Sequence, residues 1–281
     1  MSLESTTIER LPAVEAELNY LAPTTERPRN YASDPPAGEP RTNTVNEPHK
    51  LAIRDARLVA SAVSLDGEGF GIVRHRSAVH DFHDEDEIRR VYYPEAVSLL
   101  KSATGADRVF IFDHTLRRHI PGSDDRRDGV RQPARRVHVD HTARSGPQRV
   151  RDLLPDDAET LLRGRVQIIN VWRPIRAPVK DAPLAVCAAR SVAPRDLVPS
   201  DLVYAHRTGE TYSVTYNPAH RWFYLSDMGT DEALLIKCFD SETDGRARFA
   251  PHTAFNDPTS PPDAPPRESV EIRTLVFHAG H

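Results

Sequence analysis

Residues 136–142 read Arg-Val-His-Val-Asp-His-Thr, so polar and apolar side chains alternate along this stretch. In an extended strand successive side chains point to opposite faces, which would place His138 and Asp140 together on one face. A mononuclear non-haem Fe(II) site needs two histidines and one carboxylate on one side of the metal, with other positions open for a co-substrate and oxygen. The pattern therefore predicts a β-rich fold in which one strand carries two iron ligands. The ordinary alternative is a solvated strand edge with polar residues.

The third iron ligand has to come from elsewhere in the chain, and His252 is the best candidate. It lies in residues 248–255, which read Arg-Phe-Ala-Pro-His-Thr-Ala-Phe. His206 and His220 are rival third ligands. Asp113 and His114 form a further candidate pair, because residues 113–115 repeat the Asp-His-Thr order of residues 140–142. Their more common role is to end a strand and tie down the neighbouring loop.

An Arg-x-Ser pattern follows His252, in residues 266–269, which read Pro-Arg-Glu-Ser. A guanidinium group matches a carboxylate through two parallel hydrogen bonds, and a hydroxyl two residues further along a strand lies on the same face. Arg267 and Ser269 are therefore predicted to bind a dicarboxylate co-substrate.

The strongest predicted strand is residues 165–174, which read Arg-Val-Gln-Ile-Ile-Asn-Val-Trp-Arg-Pro. Its alternation places Asn170 and Trp172 on one face, where they are predicted to line a substrate pocket. Packing in the core is the alternative for Trp172. Further segments are predicted from β-branched and aromatic content or from helical spacing: strands at 52–57, 70–73, 108–114, 211–216 and 269–277, a strand or short helix at 232–239, and helices within 84–100 and 147–163.

Two segments are expected in the chain. Residues 1–50 are predicted to form an extended N-terminal arm, because residues 24–48 are rich in Pro, Thr, Asn and Arg, although residues 13–21 mix helix formers with apolar residues. The arm is either disordered or wrapped around the domain or a partner subunit. Residues 51–281 are predicted to form one domain, which starts with a hairpin whose turn lies at residues 65–69. Many short strands, with helices concentrated earlier, favour a mainly β fold with flanking helices, either a sandwich or a barrel.

The composition of the chain limits the kinds of molecule that it is expected to bind. The formal net charge is −4, from 37 basic and 41 acidic residues, so no global positive field favours nucleic acid. The chain starts without a basic segment followed by an apolar one, and no apolar run approaches the length of a membrane span, so no membrane partner is expected. Cys187 and Cys238 lie inside apolar runs and are predicted to be reduced and buried. These features favour a cytoplasmic protein.

The chain resembles a family of non-haem iron oxygenases that groups fungal gibberellin desaturases, a cephamycin-cluster oxygenase component and endoperoxide-forming meroterpenoid oxygenases. The resemblance spans nearly the whole chain. The matching segments are residues 18–21 (Leu-Asn-Tyr-Leu), 112–117 (Phe-Asp-His-Thr-Leu-Arg), 138–140 (His-Val-Asp), 169–175 (Ile-Asn-Val-Trp-Arg-Pro-Ile), 235–241 (Leu-Ile-Lys-Cys-Phe-Asp-Ser), 251–255 (Pro-His-Thr-Ala-Phe) and 265–269 (Pro-Pro-Arg-Glu-Ser).

The resemblance implies a double-stranded β-helix, or jelly roll, that uses Fe(II) and 2-oxoglutarate. By motif, His138, Asp140 and His252 would ligate iron, and Arg267 with Ser269 would anchor 2-oxoglutarate. This chain departs from many relatives after the His-x-Asp motif, where His141 and Thr142 replace a Gln-Ser-like pair. The substrate end of the pocket is therefore expected to differ.

Three functional hypotheses follow. The first is a 2-oxoglutarate-dependent oxygenase that hydroxylates or desaturates a small natural-product intermediate with O2, forming succinate and CO2, with a homodimer as the expected assembly. The second keeps iron but not 2-oxoglutarate, and the organic substrate itself chelates the metal. The third is a non-enzymatic jelly-roll binding protein. Succinate formed per product separates the first two, and iron content tests the third.

Overall fold

The computed structural model describes residues 8–123 and 131–279, in which fourteen strands form two sheets. The large sheet has nine strands in the order β1-β3-β11-β8-β13-β6-β10-β9-β2, and the small sheet has five in the order β4-β12-β7-β14-β5. The strands are β1 (Ala13–Leu21), β2 (Arg29–Tyr31), β3 (Asn46–Asp55), β4 (Phe70–Arg74), β5 (Arg108–Arg118), β6 (His138–Val139), β7 (Val166–Pro174), β8 (Leu184–Cys187), β9 (Leu197–Val203), β10 (Thr208–Val214), β11 (Trp222–Tyr224), β12 (Glu232–Asp240), β13 (His252–Ala254) and β14 (Glu268–Phe277).

The two sheets enclose the main hydrophobic core, as a jelly roll requires. Val139 and Val186 of the large sheet belong to the same buried cluster as Ile168, Trp172 and Ile236 of the small sheet. Strand β7 is buried along its whole length because its other face is covered as well. The double-stranded β-helix predicted from the resemblance is therefore confirmed.

The longest helix, α1 (Tyr93–Thr104), covers the outer face of the small sheet. Two shorter helices, α2 (Ser145–Leu153) and α3 (Ala158–Leu161), instead add Val150 and Ala158 to the main core. A helical turn (Glu85–Glu87) and a π-helix (Ile88–Tyr92) precede α1. Pro94 lies in the first turn of α1, where its missing N–H costs nothing, and Gly105 ends the helix at φ 70°. Ala96 and Leu100 lie one turn apart and pack with Val171 and Ile272 of the sheet.

The segment predicted to be an arm contributes an edge strand to the large sheet. All nine residues of β1 pair with β3, from Ala13 opposite Arg54 to Leu21 opposite Asn46. Residue 50 lies inside β3, so the expected boundary marks no break in the sheet. Residues 1–7 of the expected arm lie outside the described residues.

The hairpin predicted at the start of the domain is wrong. Strand β3 pairs with β1 and β11 in the large sheet, whereas β4 pairs with β12 in the small sheet. The turn residues do connect two strands, but each strand reaches partners far away in sequence. Local turn signals do not contain that information.

Gly146 is required by close packing of α2 on the small sheet. A Cβ atom at this position would lie 2.6–2.8 Å from three ring carbons of buried Phe239. We expect Gly146→Ala to lower the free energy of unfolding by about 1–3 kcal/mol, because the core has to shift to admit a methyl group. Urea denaturation measures this loss. Gly71→Ala is the control, since nothing lies within 4 Å of the added Cβ; equal stability losses in the two variants would contradict the packing argument.

Candidate active site

The iron-ligand candidates lie together at the start of two paired strands. His138 begins β6, His252 begins β13, and the two residues are direct partners in antiparallel pairing. Asp140 follows β6 immediately and lies 3.4 Å from His138, measured from Oδ1 to Nε2. One potential ligand atom from each of the three residues lies within 4.8 Å of the others. Strand pairing thus brings a residue from position 252 to the His-x-Asp motif.

Both histidines are oriented by backbone carbonyl groups. Nδ1 of His138 lies 2.8 Å from the carbonyl oxygen of Arg136, and Nδ1 of His252 lies 3.1 Å from that of Ala250. A carbonyl only accepts hydrogen bonds, so in each neutral ring Nδ1 carries the proton and Nε2 presents a lone pair. Both imidazoles are therefore preset to bind a metal through Nε2.

The carboxylate of Asp140 is held through one of its two oxygens. Its Oδ2 accepts a hydrogen bond from Nδ2 of Asn170 at 2.8 Å and another from Nε of Arg273 at 3.1 Å. Oε1 of Glu271 accepts from the same Nδ2 of Asn170 at 3.2 Å and pairs with Nη2 of Arg273 at 2.7 Å. Oδ1, the oxygen beside His138, is therefore the one available to a metal.

The charge states of these groups suit a metal cation. Burial acts to raise the pKa of Asp140, but the positive charge of Arg273 is the largest opposing effect, and the pKa lies well below its usual value. Burial lowers the pKa of His252, and the neighbouring His138 lowers it further. An ionised carboxylate and neutral imidazoles are the forms that bind divalent metals. This donor set, two nitrogens and one oxygen on one side, fits Fe(II) with positions left open.

The predicted co-substrate anchors belong to a row of polar residues on β14. Ser269, Glu271 and Arg273 alternate with Val270 and Ile272, which pack under the helices. The polar set therefore faces the interior between the sheets. Arg267 continues the same alternation just before the strand begins.

Arg267 is buried with part of its hydrogen-bonding capacity unused. Its side chain is 3% exposed, Nη1 donates to the carbonyl oxygen of Ala182 at 2.6 Å, and Nε has no partner within the part of the chain that the structure describes. The guanidinium carbon lies 5.5 Å from the ring centre of Trp172. Burial lowers the pKa of Arg267 to about 9, with Arg117 and Arg135 adding to the effect. A buried cation with a free donor is suited to an anion.

One cavity connects His138 and His252 with Arg267, whereas Asp140 and Ser269 are not among the residues that line it. Its lining includes Trp172 and also three residues that the sequence argument did not single out: Arg117, Glu271 and Arg273. Asn170 is absent from this lining and instead touches Asp140. The alternation of residues 267, 269, 271 and 273 is the sequence signal that points to Glu271 and Arg273. The residues that line the cavity are Arg117, Ala134, His138, Trp172, Leu184, His252, Thr253, Ala254, Arg267, Glu271 and Arg273.

The rival ligands lie elsewhere. Both ring nitrogens of His220 are engaged, Nδ1 with the hydroxyl of Tyr20 at 3.1 Å and Nε2 with Asp196 at 3.1 Å. His206 lies in the exposed turn between β9 and β10. In residues 8–123 and 131–279, the group of His138, Asp140 and His252 is the one cluster with metal-ligand spacing.

Asp113 and His114 do not form a second metal site with that cluster. Asp113 accepts a hydrogen bond from Arg273 at 2.9 Å. His114 contacts the hydroxyl of Tyr93 at 2.9 Å and Glu85 at 3.1 Å, so it points toward the helices. Both residues lie inside β5 and link it to β14 and to the helical residues, so the alternative that they end a strand and tie down a loop is also wrong.

Cys187 and Cys238 are free and buried, as predicted, and burial raises the pKa of Cys187 to about 12. Thr142 fastens the end of β6 to α2, because its hydroxyl accepts the backbone N–H of Ser145 at 2.9 Å. No helix in the described ranges is long and apolar enough to cross a membrane.

Comparison with known proteins identifies the family. A family model described as an oxidoreductase/YMDC permease-like domain matches residues 18–277. The chain is 34% identical over 287 residues to the hydroxylase/desaturase efuI of Hormonema carpetanum, with 95% of each chain covered. It is 34% identical over 273 residues to the Fe(II)/2-oxoglutarate-dependent dioxygenase nvfI of Aspergillus novofumigatus, covering 94% of this chain and 96% of that one.

A solved structure of a relative has the same fold as this chain. The iron and alpha-ketoglutarate-dependent endoperoxidase NvfI superposes with a TM-score of 0.87 at 32% identity, covering 96% of this chain and all of that one (100%). The chain therefore belongs to the family of Fe(II)/2-oxoglutarate-dependent oxygenases that contains these fungal hydroxylase/desaturases. Fe(II) and 2-oxoglutarate are its cofactors, and its partners are O2 and a small molecule.

Proposed function

We propose that this protein hydroxylates or desaturates a small natural-product intermediate while it converts 2-oxoglutarate to succinate and CO2. The observation that carries the proposal is a single cavity lined by His138 and His252 at one part and by Arg267 at another. A 2-oxo acid that chelates a metal through one end and carries a carboxylate at the other matches that arrangement. The names of the relatives cover hydroxylation, desaturation and endoperoxide formation, and we propose the first two for this chain.

In this proposal each residue has a defined role. His138 and His252 bind Fe(II) through Nε2, and Asp140 binds through Oδ1. Arg267 and Ser269 hold the distal carboxylate of 2-oxoglutarate. When bound, Fe(II) with 2-oxoglutarate supplies the O2-dependent oxidation of a C–H bond.

The rest of the cavity orients the reactants and limits access of water. Trp172 is 2% exposed, and its ring lies beside the Arg267 guanidinium, so it shields that cation from solvent. Leu184 and Ala254 add apolar wall. In our proposal Trp172 forms part of the substrate pocket, as expected from the sequence. Asn170 does not contact the substrate and contributes only by positioning Asp140.

Oxidation assays test the proposal against its main alternative. Protein loaded with Fe(II) is given 2-oxoglutarate, O2 and a panel of small organic molecules, and succinate and oxidised product are measured together. We expect one succinate for each oxidised product. Product formed without succinate would support the alternative, an iron oxygenase whose organic substrate chelates the metal. Protein that binds no iron would favour a binding protein.

Asn170 is proposed to position Asp140. We expect Asn170→Leu to weaken Fe(II) binding about tenfold to a hundredfold, because changes to groups that orient metal ligands typically cost this much. Anaerobic competition with a coloured chelator measures the affinity. Asp113→Asn is the matched control, since it removes a partner of Arg273 but leaves both hydrogen bonds to Oδ2 of Asp140. Folded Asn170→Leu protein with unchanged iron affinity would remove Asn170 from this role.

Two further expectations remain proposals. A cytoplasmic location rests on the free, buried cysteines, since reducing compartments keep thiols unpaired. A homodimer is proposed as the assembly, and sedimentation at several protein concentrations tests it.

A further inference from the structure

A second arginine, Arg117, lies beside the proposed 2-oxoglutarate anchors. It belongs to β5 and is the direct cross-strand partner of Ser269 on β14. Opposed residues of antiparallel strands project to the same face, with Cβ atoms about 4.5–5.5 Å apart. Arg117 therefore faces the interior with Ser269, and Arg117 lines the cavity that contains His138, His252 and Arg267.

Arg267 is the diagonal neighbour of Arg117 across this ladder. The pairing of the two strands continues beyond Ser269, because the backbone N–H of His119 donates to the carbonyl oxygen of Arg267 at 2.9 Å. Diagonal neighbours are about 7–8 Å apart, a span that long side chains bridge. Both guanidinium groups can thus approach one small group in the cavity.

The described hydrogen bonds of the two guanidinium groups go to neutral oxygens. Nη1 of Arg117 donates to the carbonyl oxygen of Gln132 at 2.7 Å, and Nη1 of Arg267 donates to that of Ala182 at 2.6 Å. The carboxylate that lines the cavity, Glu271, is bound by Arg273 at 2.7 Å. Neither Arg117 nor Arg267 is therefore neutralised by Glu271 through direct contact.

The two cations oppose one another electrostatically. Burial lowers the pKa of Arg117; the charge of Glu271 opposes this effect, and the positive charges of Arg273 and Arg131 add to it. Arg117 in turn lowers the pKa of Arg267. Two like charges held at one low-dielectric cavity are costly, and an anion placed between them relieves the repulsion. A pair of this kind favours a carboxylate over a neutral ligand.

We infer that Arg117 is a second anchor for the distal carboxylate of 2-oxoglutarate, acting beside Arg267. This inference rests on the proposed function, because it assigns the 2-oxo acid to this cavity. It adds a residue from a different strand, so the carboxylate would be held between β5 and β14.

The test compares two ligands in Arg117→Gln protein. Binding of 2-oxoglutarate to the Fe(II) protein is followed anaerobically by the charge-transfer absorbance of chelation. A lost charge-assisted hydrogen bond should weaken it about tenfold or more. The second ligand is 2-oxopentanoate, which keeps the chelating end but has a methyl group in place of the distal carboxylate. Its affinity should be nearly the same in wild type and variant.

Arg118→Gln is the matched control for the change of charge. Arg118 is the next residue of β5, points to the opposite face and pairs with Glu268 at 3.6 Å, with its side chain 51% exposed. We expect Arg118→Gln protein to bind 2-oxoglutarate with the same affinity as wild type. If Arg117→Gln fails to fold, Arg117→Lys keeps the charge and should bind 2-oxoglutarate with an affinity between wild type and the loss predicted for glutamine.

The outcomes separate this inference from the proposed function. Wild type that chelates iron but gives no signal with 2-oxoglutarate would overturn the proposed function. Wild type that binds 2-oxoglutarate, with unchanged affinity in Arg117→Gln or Arg117→Lys, would overturn the role of Arg117 alone. Equal losses of affinity for 2-oxoglutarate and 2-oxopentanoate in Arg117→Gln would also overturn the role of Arg117, because Arg117 would then act on the chelating end or on the cavity as a whole.

Discussion

Replacing Asp140 by alanine is expected to remove Fe(II) binding and with it all turnover. The site has three protein ligands and keeps positions open for other groups, so one lost ligand leaves too few to hold the metal. The same change leaves the buried guanidinium of Arg273 without one of its three carboxylate partners. Iron content after anaerobic reconstitution measures the effect, and His252→Ala should behave alike.

Controls for this experiment address folding and the choice of ligands. Asp140→Asn keeps the shape of the side chain and should also lose iron, since it removes the negative charge. His206→Ala changes an exposed histidine and should retain iron fully. Stoichiometric iron in folded Asp140→Ala or His252→Ala would show that the ligands were assigned to the wrong residues.

Arg267→Ala is expected to weaken 2-oxoglutarate binding about tenfold to a hundredfold. A charge-assisted hydrogen bond contributes about 1.5–3 kcal/mol, and about 1.4 kcal/mol corresponds to a factor of ten. Iron affinity should change much less, because Arg267 is not among the three ligand candidates. Arg267→Lys should fall between wild type and alanine, since lysine keeps the charge but loses the planar fork.

The measurement for Arg267 is an anaerobic titration of 2-oxoglutarate into Fe(II) protein. Arg176→Ala is a suitable control, because Arg176 is 53% exposed and pairs with Glu268 at 3.7 Å. Unchanged affinity in Arg267→Ala, with the control also unchanged, would mean that the distal carboxylate is bound elsewhere.

The candidate site could be predicted from the sequence because most of its residues lie in short motifs. His138 and Asp140 are two residues apart on a strand, so their shared face follows from the period of the strand alone. The position of His252 follows from the pairing of β13 with β6, which the sequence does not state. Only the order of the motifs, and the resemblance, indicated that residue 252 was the partner.

The supporting groups around Asp140 were harder to predict. The alternation of β7 predicts that Asn170 points to the interior between the sheets, and it does so. Its contact with Asp140 depends on how β7, β14 and β6 meet across two sheets, and this distance is not encoded in any local pattern. Arg273 was missed for the same reason, although its alternation with Arg267 and Ser269 was visible.

The N-terminal segment shows a different reason why a strand was not predicted from the sequence. Val14, Ala16, Leu18 and Tyr20 are buried, and Ala13, Glu15 and Glu17 are exposed, a period of two that is typical of a strand with one buried face. Helix-forming residues and the proline-rich stretch that follows concealed this pattern. The misassigned hairpin at β3 and β4 has a similar cause, because sheet partners are set by long-range packing.

The most direct test of the account is anaerobic addition of 2-oxoglutarate to wild-type protein loaded with one equivalent of Fe(II). We expect a charge-transfer absorbance that saturates at about one 2-oxoglutarate per iron and is absent from Asp140→Ala protein. Protein that binds Fe(II) tightly but develops no such absorbance at any 2-oxoglutarate concentration would contradict it.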